Sequence, residues 1–165
     1  MGYDIYGTEP TAQEGFCFRR SIWTWPPLAA LCGELVPEFT KQWKYWIRTQ
    51  GAGLTADAAA KLAERLHSLI ADETIAEYMR RFHAKRARFP DISCEDCDGK
   101  GRIPRGLYKI VDTLPGPLTR EGNFICLSCG GIGHRRPFAA YRLLDEGDVR
   151  EWVVFLRSCG GFWIN

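Results

Sequence analysis

The sequence predicts an α+β fold: a single small domain, mostly helical with short strands, that carries one inserted arm. Three observations support this. Apolar residues recur at helical spacing through the middle of the chain and again near its end. Short aromatic and β-branched runs flanked by Gly and Pro stand at both ends. Between residues 91 and 137 the helical periodicity vanishes, and Gly, Pro and Cys become dense. Residues 1–90 and 138–165 are therefore expected to form one α+β body, with residues 91–137 as an arm inserted into it. The 165 residues suit one domain, and six Trp, nine Phe and six Tyr can fill a core.

In chain order, "YDIY" at 3–6 and "FCFRR" at 16–20 read as strands. "WPPLAALCGELV" reads as a helix, because Pro26 and Pro27 are tolerated in a first turn. "PEFTKQWKYWIRTQGAG" reads as another, with Phe39, Trp43, Trp46 and Ile47 on one face and Gly51 and Gly53 at its end. Thr55 is placed to cap "ADAAAKLAERLHSLI", whose Ala59, Leu62, Leu66, Leu69 and Ile70 line one side. "TIAEYMRRFHAKRAR" follows, either continuous with it or hinged near Asp72, with Ile75, Met79 and Phe82 on one face and Pro90 as a stop. In the arm, "LYKIV" and "NFI" suit a hairpin around a Pro/Gly turn. Asp145, with Asp148 three residues on, is placed to cap "EGDVREWVVFLRS". Gly160 and Gly161 close that helix, and "FWIN" reads as a last strand set to pair with the first ones.

Charge narrows the function classes. Lys plus Arg is 22 and Asp plus Glu is 20, a balance of +2, which excludes a globally basic nucleic-acid coat but not a local patch. No run reaches the roughly 18 apolar residues of a membrane span. The opening "MGYDIYGTEP" lacks a basic segment followed by an apolar run, so a secretory signal is not expected and the cytoplasm is the expected compartment. In a reducing compartment, paired cysteines point to metal or redox chemistry rather than disulfides, and seven Cys is an odd count.

The arm writes C-x-x-C-x-G-x-G twice, as "CEDCDGKG" at 94–101 and "CLSCGGIG" at 126–133. Two residues between cysteines let both sulfurs turn to one point. Two such knuckles supply four thiolates, which suit tetrahedral Zn²⁺ at about 2.3 Å. Cys94, Cys97, Cys126 and Cys129 are thus the expected ligands of one zinc. Gly99, Gly101, Gly131 and Gly133 stand at matching offsets, where the chain must turn sharply and φ > 0 is easiest for glycine. A dithiol redox site would use one C-x-x-C at a helix start, whereas these pairs sit in glycine-rich loops. His134, just past the second pair, is an alternative ligand, but four cysteines already complete the shell. Four thiolates leave no open position for water, so the expected role is structural.

The octad resembles the cysteine-rich zinc-binding region of DnaJ-type chaperones, in which paired copies share a zinc ion. The resemblance covers residues 94–133 and implies the four cysteine ligands. That family has four copies and two zincs; two copies here imply one zinc. No His-Pro-Asp signature is present, so chaperone activity is not carried over.

Two other constellations are candidate binding surfaces. "FRRSIWTWPPL" joins Arg19 and Arg20 to Trp23 and Trp25, which reads either as a recognition surface or as core tryptophans beside solvated arginines. "MRRFHAKRAR" at 79–88 has five Lys/Arg and no acid, with Arg81, Lys85 and Arg88 on one helical side. That is a surface for phosphates or another anionic partner, or a solvated face. Arg102, Arg105, Lys109, Arg135 and Arg136 would enlarge the patch if the arm folded against this helix, with "CEDCD" working against it. Cys17, Cys32 and Cys159 are expected to be buried thiols.

The opening "MGYDIYG", "FRRSIWTWPPL" and the ending "FLRSCGGFWI" resemble small uncharacterised phage and prophage proteins. That resemblance implies an accessory or counter-defence role. The leading expectation is a non-enzymatic, zinc-stabilised binding protein for a host protein or nucleoprotein. The alternatives are a nucleic-acid-binding protein using the 79–88 helix and the arm, and a small-ligand-binding protein or enzyme with a site near Arg19, Trp23 and Trp25.

Overall fold

The computed structural model describes residues 2–40, 43–47, 51–105 and 117–165. The side chain of Trp43, Lys109 and the run "LYKIV" lie outside the described residues. The fold is α+β, and it divides into two compact units: Met1–Lys85 with Arg142–Asn165, and Arg86–Tyr141.

In the first unit, β1 (Gly2–Gly7) pairs antiparallel with β2 (Cys17–Ser21) and with β8 (Phe162–Ile164), and β8 pairs with β3 (Gly53–Leu54). The sheet order is β2-β1-β8-β3, so the last strand enters beside the first. Strand side chains alternate between faces. Ile5, Phe18, Phe162 and Ile164 are buried on one face, while on the other Tyr6 packs on Trp163 at 4.9 Å and Arg19 meets Asp4.

Six helices stand among the described residues: α1 (Trp25–Leu35), α2 (Pro37–Thr40), α3 (Trp43–Trp46), α4 (Ala56–Ala71), α5 (Thr74–Ala87) and α6 (Glu146–Ser158). Thr55 Oγ1 accepts from Ala58 N–H and starts α4, whose Ala59, Leu62, Ala63, Leu66 and Leu69 are buried. Asp145 and Asp148 form a reciprocal capping box on α6, at 2.8 and 3.2 Å. Such caps contribute about 1 kcal/mol. Trp25, Trp46, Trp152, Phe155 and Phe162 pack as one aromatic cluster, and the Trp25 indole N–H donates to the Trp46 carbonyl at 2.9 Å. A buried indole needs such a partner to offset its lost hydration.

Three details differ from, or resolve, the sequence reading. The α4–α5 segment is hinged: Glu73 sits at φ 62 and the Asp72 carboxylate accepts from Thr74 N–H at 3.0 Å. The stretch read as one helix from 37 is two short helices among the described residues, and Gly53 does not merely end it but belongs to strand β3. A Cβ on Gly53 would come within 1.8 Å of the Phe162 carbonyl oxygen, so this close strand pairing requires glycine. Cys17 is exposed rather than buried, because its position in β2 faces away from the core. Cys32 and Cys159 are buried as expected. Among the described residues, no helix is long and apolar enough to cross a membrane.

Candidate metal centre

Among the described residues, the second unit holds four two-residue strands: β4 (Ile92–Ser93), β5 (Arg102–Ile103), β6 (Phe124–Ile125) and β7 (His134–Arg135). β4 pairs with β7 and β5 with β6, both antiparallel. The strand before each knuckle therefore pairs with the strand after the other. Between them, Cys94 N–H donates to the Gly133 carbonyl at 2.8 Å and Cys126 N–H donates to the Gly101 carbonyl at 3.0 Å. The two octads are related by a local two-fold, each closing the other.

The two knuckles have the same internal bonds. Gly99 N–H donates to the Cys94 carbonyl and Gly131 N–H to the Cys126 carbonyl, both at 3.0 Å. Gly101 N–H points at Cys97 Sγ and Gly133 N–H at Cys129 Sγ, both at 3.2 Å. Backbone N–H groups aimed at sulfur stabilise a thiolate, because they favour the charged form.

The four sulfurs lie within 4.8 Å of one another, and all four cysteines are buried. The Cys94–Cys126 and Cys97–Cys129 sulfur separations are each 3.8 Å. A disulfide would need about 2.05 Å. A tetrahedron with arms of about 2.3 Å has edges of about 3.8 Å, so the sulfur spacing matches four thiolates around one central ion. The four cysteines form a cluster that could hold a metal.

Without an ion, the cluster's electrostatics are uneven. Burial pushes the Cys94 thiol up to about 12, with the neighbouring Cys97 thiol adding to it. Burial also raises Cys126. Burial acts in the same direction on Cys129, but the N–H groups of Gly133 and Gly131, together with hydrogen bonds from the Cys126 and Cys97 thiols, outweigh it and bring that thiol down to about 7. One sulfur is thus set to carry negative charge before a cation arrives.

No family model, curated protein or solved structure matches this chain.

The other sequence candidates are dispersed. Trp25 is fully buried in the aromatic cluster, so it offers no face to a ligand. Trp23 is half-buried, and its carbonyl accepts from Leu143 N–H at 3.1 Å. Arg19 pairs with Asp4, and Arg20 with Asp148 and Glu151 while its guanidinium lies 4.1 Å over the Phe18 ring. Asp4, Arg19, Arg20, Ser21 and Gly2 line a shallow cleft of about 410 Å³, and both its cations are already matched by acids. Arg81 and Lys85 line a cleft of about 210 Å³ with Glu34, Tyr78 and Phe82. Arg81 has a loose 4.0 Å contact with Glu77, whose other oxygen is held by Arg80. Lys85 has no ion pair among the described residues. Arg88 is exposed one position past the end of α5. In the second unit Arg102 pairs with Glu121, Arg135 with Glu95 at 3.6 Å, and Arg136 donates to the Arg86 carbonyl at 3.0 Å.

Sequence reasoning named the four sulfurs but missed the backbone donors that hold them and the crossed strand pairs. The available signal was the constant offset of 32 residues between Cys94 and Cys126 and between Cys97 and Cys129. That offset also relates Gly99 to Gly131 and Gly101 to Gly133.

Proposed function

We propose that this chain is a non-enzymatic, zinc-stabilised binding protein. One Zn²⁺ is held by Cys94, Cys97, Cys126 and Cys129. The observation that carries the reading is the sulfur cluster, with its 3.8 Å edges and its two N–H···S donors. Borderline-soft Zn²⁺ suits four thiolates and tolerates a tetrahedron without electronic preference. Four thiolates fill the coordination sphere, so the metal shapes the second unit instead of activating water. That unit has two-residue strands and a five-residue buried cluster of which four members are the cysteines. Its folding energy therefore comes largely from the metal.

The likeness of the chain's opening, "FRRSIWTWPPL" and ending to small phage proteins supports a bacterial host protein or nucleoprotein as the partner. The nucleic-acid reading keeps one specific support: among the described residues Lys85 has no ion pair and Arg81 is loosely held, so the basic turn of α5 has charge to spare. The test is affinity capture from a bacterial lysate by zinc-loaded and zinc-stripped protein, with and without nuclease. A protein retained after nuclease and lost on zinc removal supports the reading. Capture of nucleic acid alone, with a steep salt dependence, supports the second reading instead.

A further inference from the structure

β2 is an edge strand of the four-stranded sheet. Its register on β1 is set by Ile5 opposite Phe18, and Gly7 N–H donates to the Phe16 carbonyl at 3.1 Å. Bonded pairs alternate along an antiparallel ladder. Phe18 and Arg20 therefore bond to β1, while the N–H and C=O groups of Cys17 and Arg19 point off the sheet. The Arg19 carbonyl accepts from its neighbour's Arg20 Nη1 at 3.1 Å. Among the described residues, no backbone bond engages the Cys17 N–H or C=O or the Arg19 N–H, which leaves an open hydrogen-bonding edge.

A cleft of about 340 Å³ adjoins this strand, lined by Phe18 from β2, by Arg150, Glu151, Val154 and Phe155 from α6, and by Glu14. The helix residues fall at i, i+1, i+4 and i+5, one face of α6. The cleft is mainly apolar. Val154 is 48% exposed, and Phe16, just before β2, is 61% exposed. The rim is charged, but two of its members are engaged: Arg150 by Glu146 and Glu151 by Arg20. Glu14 has no ion pair among the described residues.

We propose that the groove between β2 and α6 binds an extended segment of a partner protein by strand addition. The segment's backbone meets the free groups of Cys17 and Arg19. One apolar side chain enters the cleft against Val154 and Phe155, and a Lys or Arg two residues away meets Glu14. A helix could not satisfy the open edge, because its own backbone bonds are internal. A second copy would present β2, whose Arg19 and Arg20 are already taken by Asp4, Asp148 and Glu151, and so brings no free cation to Glu14. This surface lies in the first unit and does not depend on the metal.

The test is selection of octapeptides from a random display library on the zinc-loaded full chain, followed by amide NMR with the enriched peptide. The expected peptides carry an apolar residue with Lys or Arg at alternate spacing, and they shift the Cys17, Arg19 and Val154 amides. Val154→Glu places a charge in the cleft at an already exposed position and is expected to weaken peptide binding at least tenfold, with zinc content unchanged. Arg19→Pro removes one outward donor from the extended edge strand, where the preceding Phe18 is already in β conformation, and is expected to weaken it at least fivefold. Arg81→Glu is expected to leave peptide binding unchanged. The proposal is overturned if no peptide is enriched, if the peptide moves other amides, if Val154→Glu binds it like wild type, or if the β2 amides are covered by self-association of the chain.

Discussion

A Cβ on Gly101 would lie 2.1 Å from the carbonyl oxygen of Gly131, and one on Gly133 would lie 2.1 Å from the carbonyl oxygen of Gly99. The last glycine of each C-x-x-C-x-G-x-G octad is thus pressed against the other octad's first pattern glycine, Gly131 or Gly99. Both also have positive φ, 70 and 85. The repeated glycines are there because the two knuckles pack backbone to backbone around one cluster.

Gly101→Ala should therefore disrupt the centre. The clash is with backbone, and moving that backbone pulls on the Cys126 N–H to Gly101 carbonyl bond. Gly122 is the control, with φ 77 but nothing within 4 Å of a Cβ. Gly122→Ala is expected to cost only the left-handed strain of about 1 kcal/mol and to keep its zinc. Metal content and denaturant unfolding of the two variants check this; equal loss in both would mean that strain, not packing, explains the glycines.

Cys97→Ser or Cys129→Ser should release the zinc and unfold residues 86–141, since a structural site's binding energy is folding energy. The first unit keeps a core of its own, with Trp25, Trp46, Trp152 and Phe155 fully or nearly fully buried. Its helical circular dichroism is expected to persist, while amide exchange in the second unit rises to that of an unfolded chain.

Zinc affinity should fall as pH falls. Burial holds Cys94 up at about 12 and also raises Cys126, so both thiols must give up protons to ligate, whereas Cys129, down at about 7, is already half ionised near neutrality. Binding releases protons, so added protons oppose it. Competition with a chromophoric chelator at about pH 6 and pH 8 is expected to show tighter binding at the higher pH; equal affinity would argue against thiolate ligands.

Among the three cysteines outside the cluster, Cys17 should react with a thiol reagent in the folded, zinc-loaded protein, and Cys32 and Cys159 only after unfolding. Cys17 is exposed. Burial pushes Cys32 up to about 12 and raises Cys159, so neither offers a thiolate at neutral pH. For Cys32 the sign is that of a raised group: its contribution to stability is present below the ordinary thiol range and is lost as pH rises through about 12. Mass spectrometry of the labelled native protein checks the order of reaction.

Reversing Arg81, Lys85 and Arg88 to Glu separates a binding helix from a solvated one. If α5 meets an anionic partner, affinity should drop, and the drop should shrink at high salt, because exposed charges are screened within about 10 Å at 0.1 M. Stability is expected to change little, since the salt contact of Arg81 is long and Lys85 has none among the described residues. Unchanged partner binding with the fold intact would remove this helix as the site.

Local chemistry was legible in the sequence where it acts alone. The Thr55 cap, the Asp145–Asp148 box, the buried stripe of α4 and the four sulfurs all follow from spacing. Features made by tertiary pairing were not. β3 is two residues long and exists only because Gly53 lets β8 approach. The exposure of Cys17 depends on which face of β2 meets the core, and its two neighbours in sequence, Phe16 and Phe18, are both aromatic. Trp23 and Trp25 are two residues apart, yet one is half-buried and the other sealed in the aromatic cluster, because Trp25 opens α1 and turns inward to Trp46.

Zinc X-ray absorption combined with elemental analysis of the purified protein tests the central claim most directly. The account predicts one zinc per chain with four sulfur neighbours at about 2.3 Å. Protein without zinc, a shell containing nitrogen or oxygen, or disulfides among Cys94, Cys97, Cys126 and Cys129 would contradict it.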